Sequence, residues 1–228
     1  MTLLTLDEIE QARVSIAPVV RATTAAASHS LTRRLGREVW LKPEYRQRTG
    51  SFKIRGAYHR LSRLPAGTHV VAGSAGNHAQ GVALAAHLLG HRATIYMPVS
   101  ASIPKISATR SYGAEVVLGG ATVDDCIVAA KVFAAEHGAV FVPPFDHPDI
   151  LAGQGTIGLE LLEEVPGLAT VVVAIGGDGT LLFAAGLVAG SIALATDIYA
   201  KALKLLNTED TVDEPAAGGR FVHAAKHA

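Results

Sequence analysis

Lys53 stands in Ser51-Phe52-Lys53-Ile54-Arg55-Gly56-Ala57. A lysine amine condenses with an aldehyde when part of it is neutral, which burial or nearby positive charge promotes. Twenty-one residues later comes Ser74-Ala75-Gly76-Asn77-His78-Ala79-Gln80-Gly81. This loop follows an apolar run and opens a helical pattern, where free backbone N–H groups bind anions. Gly76 lets the chain approach a ligand closely, and Asn77 and His78 add side-chain donors. The pair reads as an amine nucleophile facing an anion-binding turn. Each half has a plainer alternative: a surface lysine near a helix start, and an ordinary Ser or Asn cap. A third segment, Gly176-Gly177-Asp178-Gly179-Thr180, puts a carboxylate in a glycine turn.

The elements that must position these residues alternate between short aliphatic runs and helical periods. Residues 6–17 read as a helix with Asp7 as the capping acid, Glu38-Val39-Trp40-Leu41-Lys42 as a strand, and 52–64 as a helix. His69-Val70-Val71-Ala72, Ala93-Thr94-Ile95-Tyr96-Met97, Glu115-Val116-Val117-Leu118 and Val140-Phe141-Val142 read as strands. Helical patterns over 77–89, 103–112, 123–137 and 147–164 separate or follow them. This order predicts βαβ units and parallel sheets. Thr170-Val171-Val172-Val173-Ala174-Ile175 is the strongest buried-strand pattern, and the glycine turn after it is expected to lead into a helix. Residues 192–206 are amphipathic, and the tail from 207 carries no apolar period and reads as mobile.

Bulk properties narrow the classes. The chain has 228 residues, 49% hydrophobic but only 5% aromatic, which suits a close-packed aliphatic α/β protein. Twenty basic and twenty acidic residues cancel, which argues against a nucleic-acid partner. Cys126 has no partner for an internal disulfide and reads as a buried thiol in a reducing compartment. The start is polar and acidic rather than signal-like, and the apolar stretch over 171–194 is broken by glycines below spanning length. A cytoplasmic protein with no membrane partner is expected. The histidines are scattered, with no i, i+4 pair on one helix suited to zinc; His223 and His227 have that spacing but lie in the tail, so no metal site is expected.

Four motifs in order carry a resemblance: Thr49-Gly50-Ser51-Phe52-Lys53-Ile54-Arg55-Gly56-Ala57; the 74–81 loop; Ala108-Thr109-Arg110-Ser111-Tyr112-Gly113-Ala114-Glu115-Val116; and Gly153-Gln154-Gly155-Thr156-Ile157-Gly158-Leu159-Glu160. Together they resemble the threonine dehydratases of the fold type II pyridoxal phosphate enzymes. The resemblance implies two three-layer domains with parallel sheets, a small one over 54–151 and a large one from 1–53 and 152–228. It implies that Lys53 holds pyridoxal 5'-phosphate as an internal aldimine and moves the Cα proton. Phe52 would pack near the cofactor ring and Asn77 would bond its phenolic oxygen. Ser74, Ala75, Gly76 and His78 would form the loop that takes the substrate carboxylate, and 176–180 would approach the cofactor phosphate. Similar racemases usually carry a second serine where Ala75 stands, so Ala75 favours dehydration. The implied reaction converts threonine or serine to 2-oxobutanoate or pyruvate and ammonia, in isoleucine biosynthesis, in an enzyme that is commonly a homo-oligomer.

Two departures qualify it. The family places a tetraglycine loop where Asp178 interrupts the glycines. A carboxylate about 4 Å from a phosphate charge costs about 1–4 kcal/mol per charge pair between the dielectrics of water and a protein surface. The motifs also stop near residue 177, which suggests an incomplete second domain. An impaired homologue that only binds a partner is therefore the alternative. A remote one is nucleotide-phosphate binding by 176–180, which is similar to a short signature of NAD kinases.

Overall fold

The computed structural model describes residues 4–175, 181–185 and 220–221. Its centre is a parallel sheet of β3 (His69–Gly73), β4 (Arg92–Met97), β5 (Glu115–Leu118) and β6 (Val140–Phe141) in the order β5-β4-β3-β6. Val71 pairs with Thr94 across β3 and β4, and Ile95 with Val116 across β4 and β5. Parallel neighbours need crossovers, and these are α4 (Asn77–Leu89), α5 (Ile103–Ser111) and α6 (Val123–His137). Val70, Val71 and Ala72 are all fully buried, as expected of a central strand covered on both faces.

The helices start and stop for local reasons. The Thr122 hydroxyl accepts from the Asp125 N–H while the Asp125 carboxylate returns to the Thr122 N–H, and Gly138 closes α6 at φ 62°. The same reciprocal cap opens α1 (Leu6–Ile16), where Thr5 pairs with Glu8. The cap is therefore Thr5, and Asp7 sits in the first turn. Gly73 brings the sheet against α6: a Cβ there would lie 2.6 Å from the Cys126 carbonyl carbon. Cys126 itself is fully buried, its thiol facing the Gly119 carbonyl at 3.2 Å.

On the other side, α3 (Lys53–Ser62) lies between α4 and α7 (Pro148–Glu164). Ile54, Leu61, Val82, Ala83, Ile95, Met97 and Ile150 join one apolar cluster there. A second cluster holds Ala25, Phe52, Ile157, Leu161 and Val165. It lies under a small antiparallel ribbon of β1 (Ala26–Ala27) and β2 (Trp40–Leu41), with α2 (His29–Leu35) between the two strands. The strand expected over 38–42 thus shrinks to two residues. The polar helix α2, which buries none of its residues, gives no apolar period to read.

Three elements lie beyond α7. β7 (Val171–Ile175) pairs antiparallel with β8 (Leu181–Ala185) and with β9 (Arg220–Phe221). A helix was expected after the glycine turn, but 181–185 is a strand, and the described part of this second sheet is antiparallel rather than parallel. The five residues 176–180 are too few for a parallel crossover but enough for a hairpin. The tail read as mobile contributes β9. The amphipathic stretch 192–206 and His223 and His227 lie outside the described residues. Among the described residues no helix is long and apolar enough to cross a membrane, and no cluster of His, Cys, Asp or Glu is fit to hold a metal.

Candidate active site

Lys53 is the first residue of α3. The chain reaches it through Gly50, whose φ of 70° calls for glycine, and the Ser51 hydroxyl accepts from the Lys53 N–H at 3.4 Å. The residue keeps part of its surface on water, but its amine is withdrawn. The Lys53 Nζ donates to the Pro144 carbonyl at 2.8 Å and lies 5.2 Å from the Phe52 ring centroid. Among the described residues no carboxylate pairs with it. Burial lowers its pKa from 10.5 to about 8, so about half of the amine is neutral at pH 8.

The loop after β3 lies beside it. Ser74 is buried; its N–H donates to the Tyr96 carbonyl at 3.0 Å and its hydroxyl accepts from the Gly76 N–H at 3.2 Å. Ala75, Gly76 and Asn77 are partly exposed, and a Cβ built on Gly76 would meet nothing within 4 Å. This is open space in front of the first turn of α4, whose N–H groups have no acceptor within the helix. Gly81 draws the two segments together, because its missing Cβ would lie 3.1 Å from the Lys53 carbonyl carbon and oxygen. The start of α3 and the second turn of α4 are therefore in backbone contact.

His78 behaves differently from its neighbours in the loop. It is 4% exposed, and its Nε2 lies 3.0 Å from the Val142 carbonyl. Burial and the positive charge of Lys53 push its pKa down to about 3, against the smaller opposing effect of the Val142 carbonyl. It stays neutral with Nε2–H donating, so what it can offer an anion in the open space is its backbone N–H. The 176–180 segment lies outside the described residues, between the ends of β7 and β8.

The sequence reading named Lys53, Phe52 and the 74–78 loop but not the carbonyls of Val142 and Pro144, which run past the end of β6. The double proline Pro143-Pro144 was the available signal, since prolines lack the N–H that continues a strand ladder and so end the strand, and carbonyls beyond its end are free to face a side chain. Arg55, two residues after Lys53, is fully buried and pairs with Glu44 and Glu160. Those pairings were not foreseen, although Glu160 closes one of the four motifs.

The profile of the family described as "Pyridoxal-phosphate dependent enzyme" matches residues 16–225, well past the last motif legible by eye. The chain is 48% identical to the L-threonine ammonia-lyase of Thermotoga maritima over 182 residues, covering 78% of this chain and 45% of that protein. It is 43% identical to the L-threonine dehydratase catabolic TdcB of Escherichia coli K12, covering 77% and 54%. Among solved structures, a threonine deaminase of T.th. matches with a TM-score of 0.66 at 42% identity, covering 71% of this chain and 52% of that one. Maize serine racemase matches with a TM-score of 0.73 at 33% identity, covering 90% and 59%. The chain spans about half the length of the curated relatives it matches. With the lysine, the glycine loop and the parallel sheet in place, the chain belongs to the pyridoxal-phosphate dependent enzyme family.

Proposed function

We propose that this protein is a pyridoxal-phosphate-dependent ammonia-lyase that dehydrates and deaminates threonine or serine, giving 2-oxobutanoate or pyruvate and ammonia. One observation carries the reading: a lysine whose amine is withdrawn from water and paired with no carboxylate among the described residues, and whose backbone meets Gly81 of the helix that a glycine loop with open space at Gly76 begins. The residues present fit pyridoxal phosphate. Lys53 would hold it through its amine, Phe52 would pack beside it and Asn77 would donate to it. Gly176, Gly177, Asp178, Gly179 and Thr180 would line its phosphate. The lobes of 54–151 and of 1–53 with 152–228 would flank it. When bound, the cofactor supplies an electron sink that makes removal of a Cα proton feasible near neutral pH.

The chain's own residues do the rest. The Ser74–His78 loop would orient the substrate carboxylate in the open space above Gly76, through the N–H groups of Ala75 and His78 and the Ser74 hydroxyl, since the N–H groups of Ser74 and Gly76 are already bonded. The Lys53 amine, with a pKa of about 8, is basic enough to take the Cα proton and neutral often enough to do so. Loss of the β-hydroxyl as water, followed by hydrolysis at the Cα nitrogen, balances threonine against 2-oxobutanoate and ammonia. Ala75 offers no hydroxyl to return a proton from the opposite face, which favours elimination over racemisation. Relatives include dehydratases named catabolic, so no place in isoleucine biosynthesis is proposed. The test is an absorbance titration with pyridoxal phosphate, followed by assay of 2-oxo acid from threonine and from serine. A lysine-bound cofactor band that disappears in Lys53→Ala is expected. Its absence at saturating cofactor rejects the reading, and a band without 2-oxo acid reduces it to ligand binding.

A further inference from the structure

Two residues along an α-helix are about 200° apart around its axis. Lys53 and Arg55 therefore leave the first turn of α3 on nearly opposite sides, and fixing one sends the other the opposite way. Arg55 is fixed. Its Nε and Nη2 donate to the two oxygens of Glu44 at 2.8 and 2.9 Å. Its Nη1 and Nη2 donate to the two oxygens of Glu160 at 2.6 and 2.9 Å, and Nη1 also donates to the Thr156 hydroxyl at 3.1 Å. That exhausts the five N–H donors of a guanidinium. Burial opposes the charge, but Glu44 and Glu160 more than offset it and raise the Arg55 pKa above its ordinary value.

The clasp is itself tied down. Glu44 also accepts from the hydroxyl of Thr23 and from the Gln47 side-chain amide. Glu160 shares Lys42 with Glu164 at 2.7 Å each, and Glu164 accepts from the Ala25 N–H. On its flanks, α3 is gripped by backbone. A Cβ on Gly153 of α7 would lie 2.6 Å from the Arg55 carbonyl oxygen, and one on Gly56 would lie 2.7 Å from the Ile150 carbonyl oxygen. Buried ion networks contribute less stability than apolar packing of the same volume, but they define one geometry. Here the geometry so defined is the roll of the turn that begins with Lys53.

We propose that Arg55 is a positioning residue for the reaction: its clasp on Glu44 and Glu160 turns the Lys53 amine toward Pro144 and the 74–78 loop. The inference rests on Lys53 being the reacting amine, and the experiment separates the two. Wild type, Arg55→Lys and the double variant Arg55→Met with Glu44→Gln are compared. The first keeps the charge but loses the fork; the second removes a whole ion pair and leaves no charge orphaned. Cofactor-free protein is labelled with acetic anhydride across pH, and the Lys53 peptide is quantified by mass spectrometry. Each protein is then given pyridoxal phosphate and reduced with borohydride, and the pyridoxyl group is mapped.

In wild type Lys53 titrates near 8. In both variants its apparent pKa rises, and pyridoxyl trapping at Lys53 falls at least tenfold. Arg13→Gln, which breaks a pair on the exposed side of the same α7 helix, changes neither readout. A folded variant that melts earlier but keeps the wild-type Lys53 pKa and trapping overturns the proposal and leaves the clasp a purely structural feature. If wild type traps no pyridoxyl at Lys53, the cofactor reading fails, while the labelling arm still decides what Arg55 does to Lys53.

Discussion

The two sides of α3 are built from different materials. Toward α4 and the sheet the helix joins an apolar cluster with Val70, Ala72, Val82 and Ile95, all fully buried. Toward α7 and the 23–47 strap it rests on Arg55, Glu44, Lys42, Thr156 and Gln47, buried just as deeply but charged or polar. Apolar contact is non-directional, roughly additive in area and tolerant of small shifts. Forked charged hydrogen bonds are directional and costly to break on one side only. The first kind of contact keeps α3 folded onto the sheet, and the second decides which way its first residue faces.

That comparison can be broken by substitution. The largest effect is expected from Arg55→Met alone, which orphans Glu44 in the interior and should cost about 3–5 kcal/mol in denaturant melts. Pairing it with Glu44→Gln should recover much of that loss; failure to do so would mean the clasp contributes stability as well as direction. On the apolar side, Ile95→Ala should cost about 2–5 kcal/mol through a cavity. Its Lys53 labelling profile should be unmoved, and a shifted profile would erase the division of labour. Gly153→Ala forces a carbon against the Arg55 carbonyl and should destabilise, whereas Gly158→Ala on the same helix meets nothing and should stabilise by up to about 1 kcal/mol.

The amine itself gives a pH signature. The folded-state pKa of Lys53, about 8, lies below its ordinary 10.5. Between those values the unfolded chain holds the extra proton, so this group makes stability rise with pH across that window. Lys53→Met should therefore stabilise the cofactor-free protein most below pH 8, with the gain fading toward pH 10.5. A gain independent of pH would mean that the amine is not desolvated. Smallest of all, Arg13→Gln should cost under about 1 kcal/mol, because both ends of that pair remain solvated.

How far these features were legible in the sequence follows the same division. α4 and α6 begin and end where the periodicity and the closing glycines put them, because local signals and the apolar period agree there. The residues around Lys53 and Ser74 were legible because motif chemistry is written in contiguous stretches. The clasp was not. Lys42, Glu44, Arg55, Glu160 and Glu164 look like ordinary surface charges in sequence, and only the packing of the strap and α7 on α3 brings them together. The strand β8 was missed for a different reason. Leu181-Leu182-Phe183-Ala184-Ala185 suits helix or strand, and its pairing with β7 decides between them.

The most direct test of the central claim is where pyridoxal phosphate attaches. Borohydride reduction of the cofactor-treated protein, followed by peptide mapping, should find the pyridoxyl group on Lys53 at one equivalent and lose it in Lys53→Ala. Label spread over other lysines such as Lys42 and Lys131, or none at all, would contradict the account.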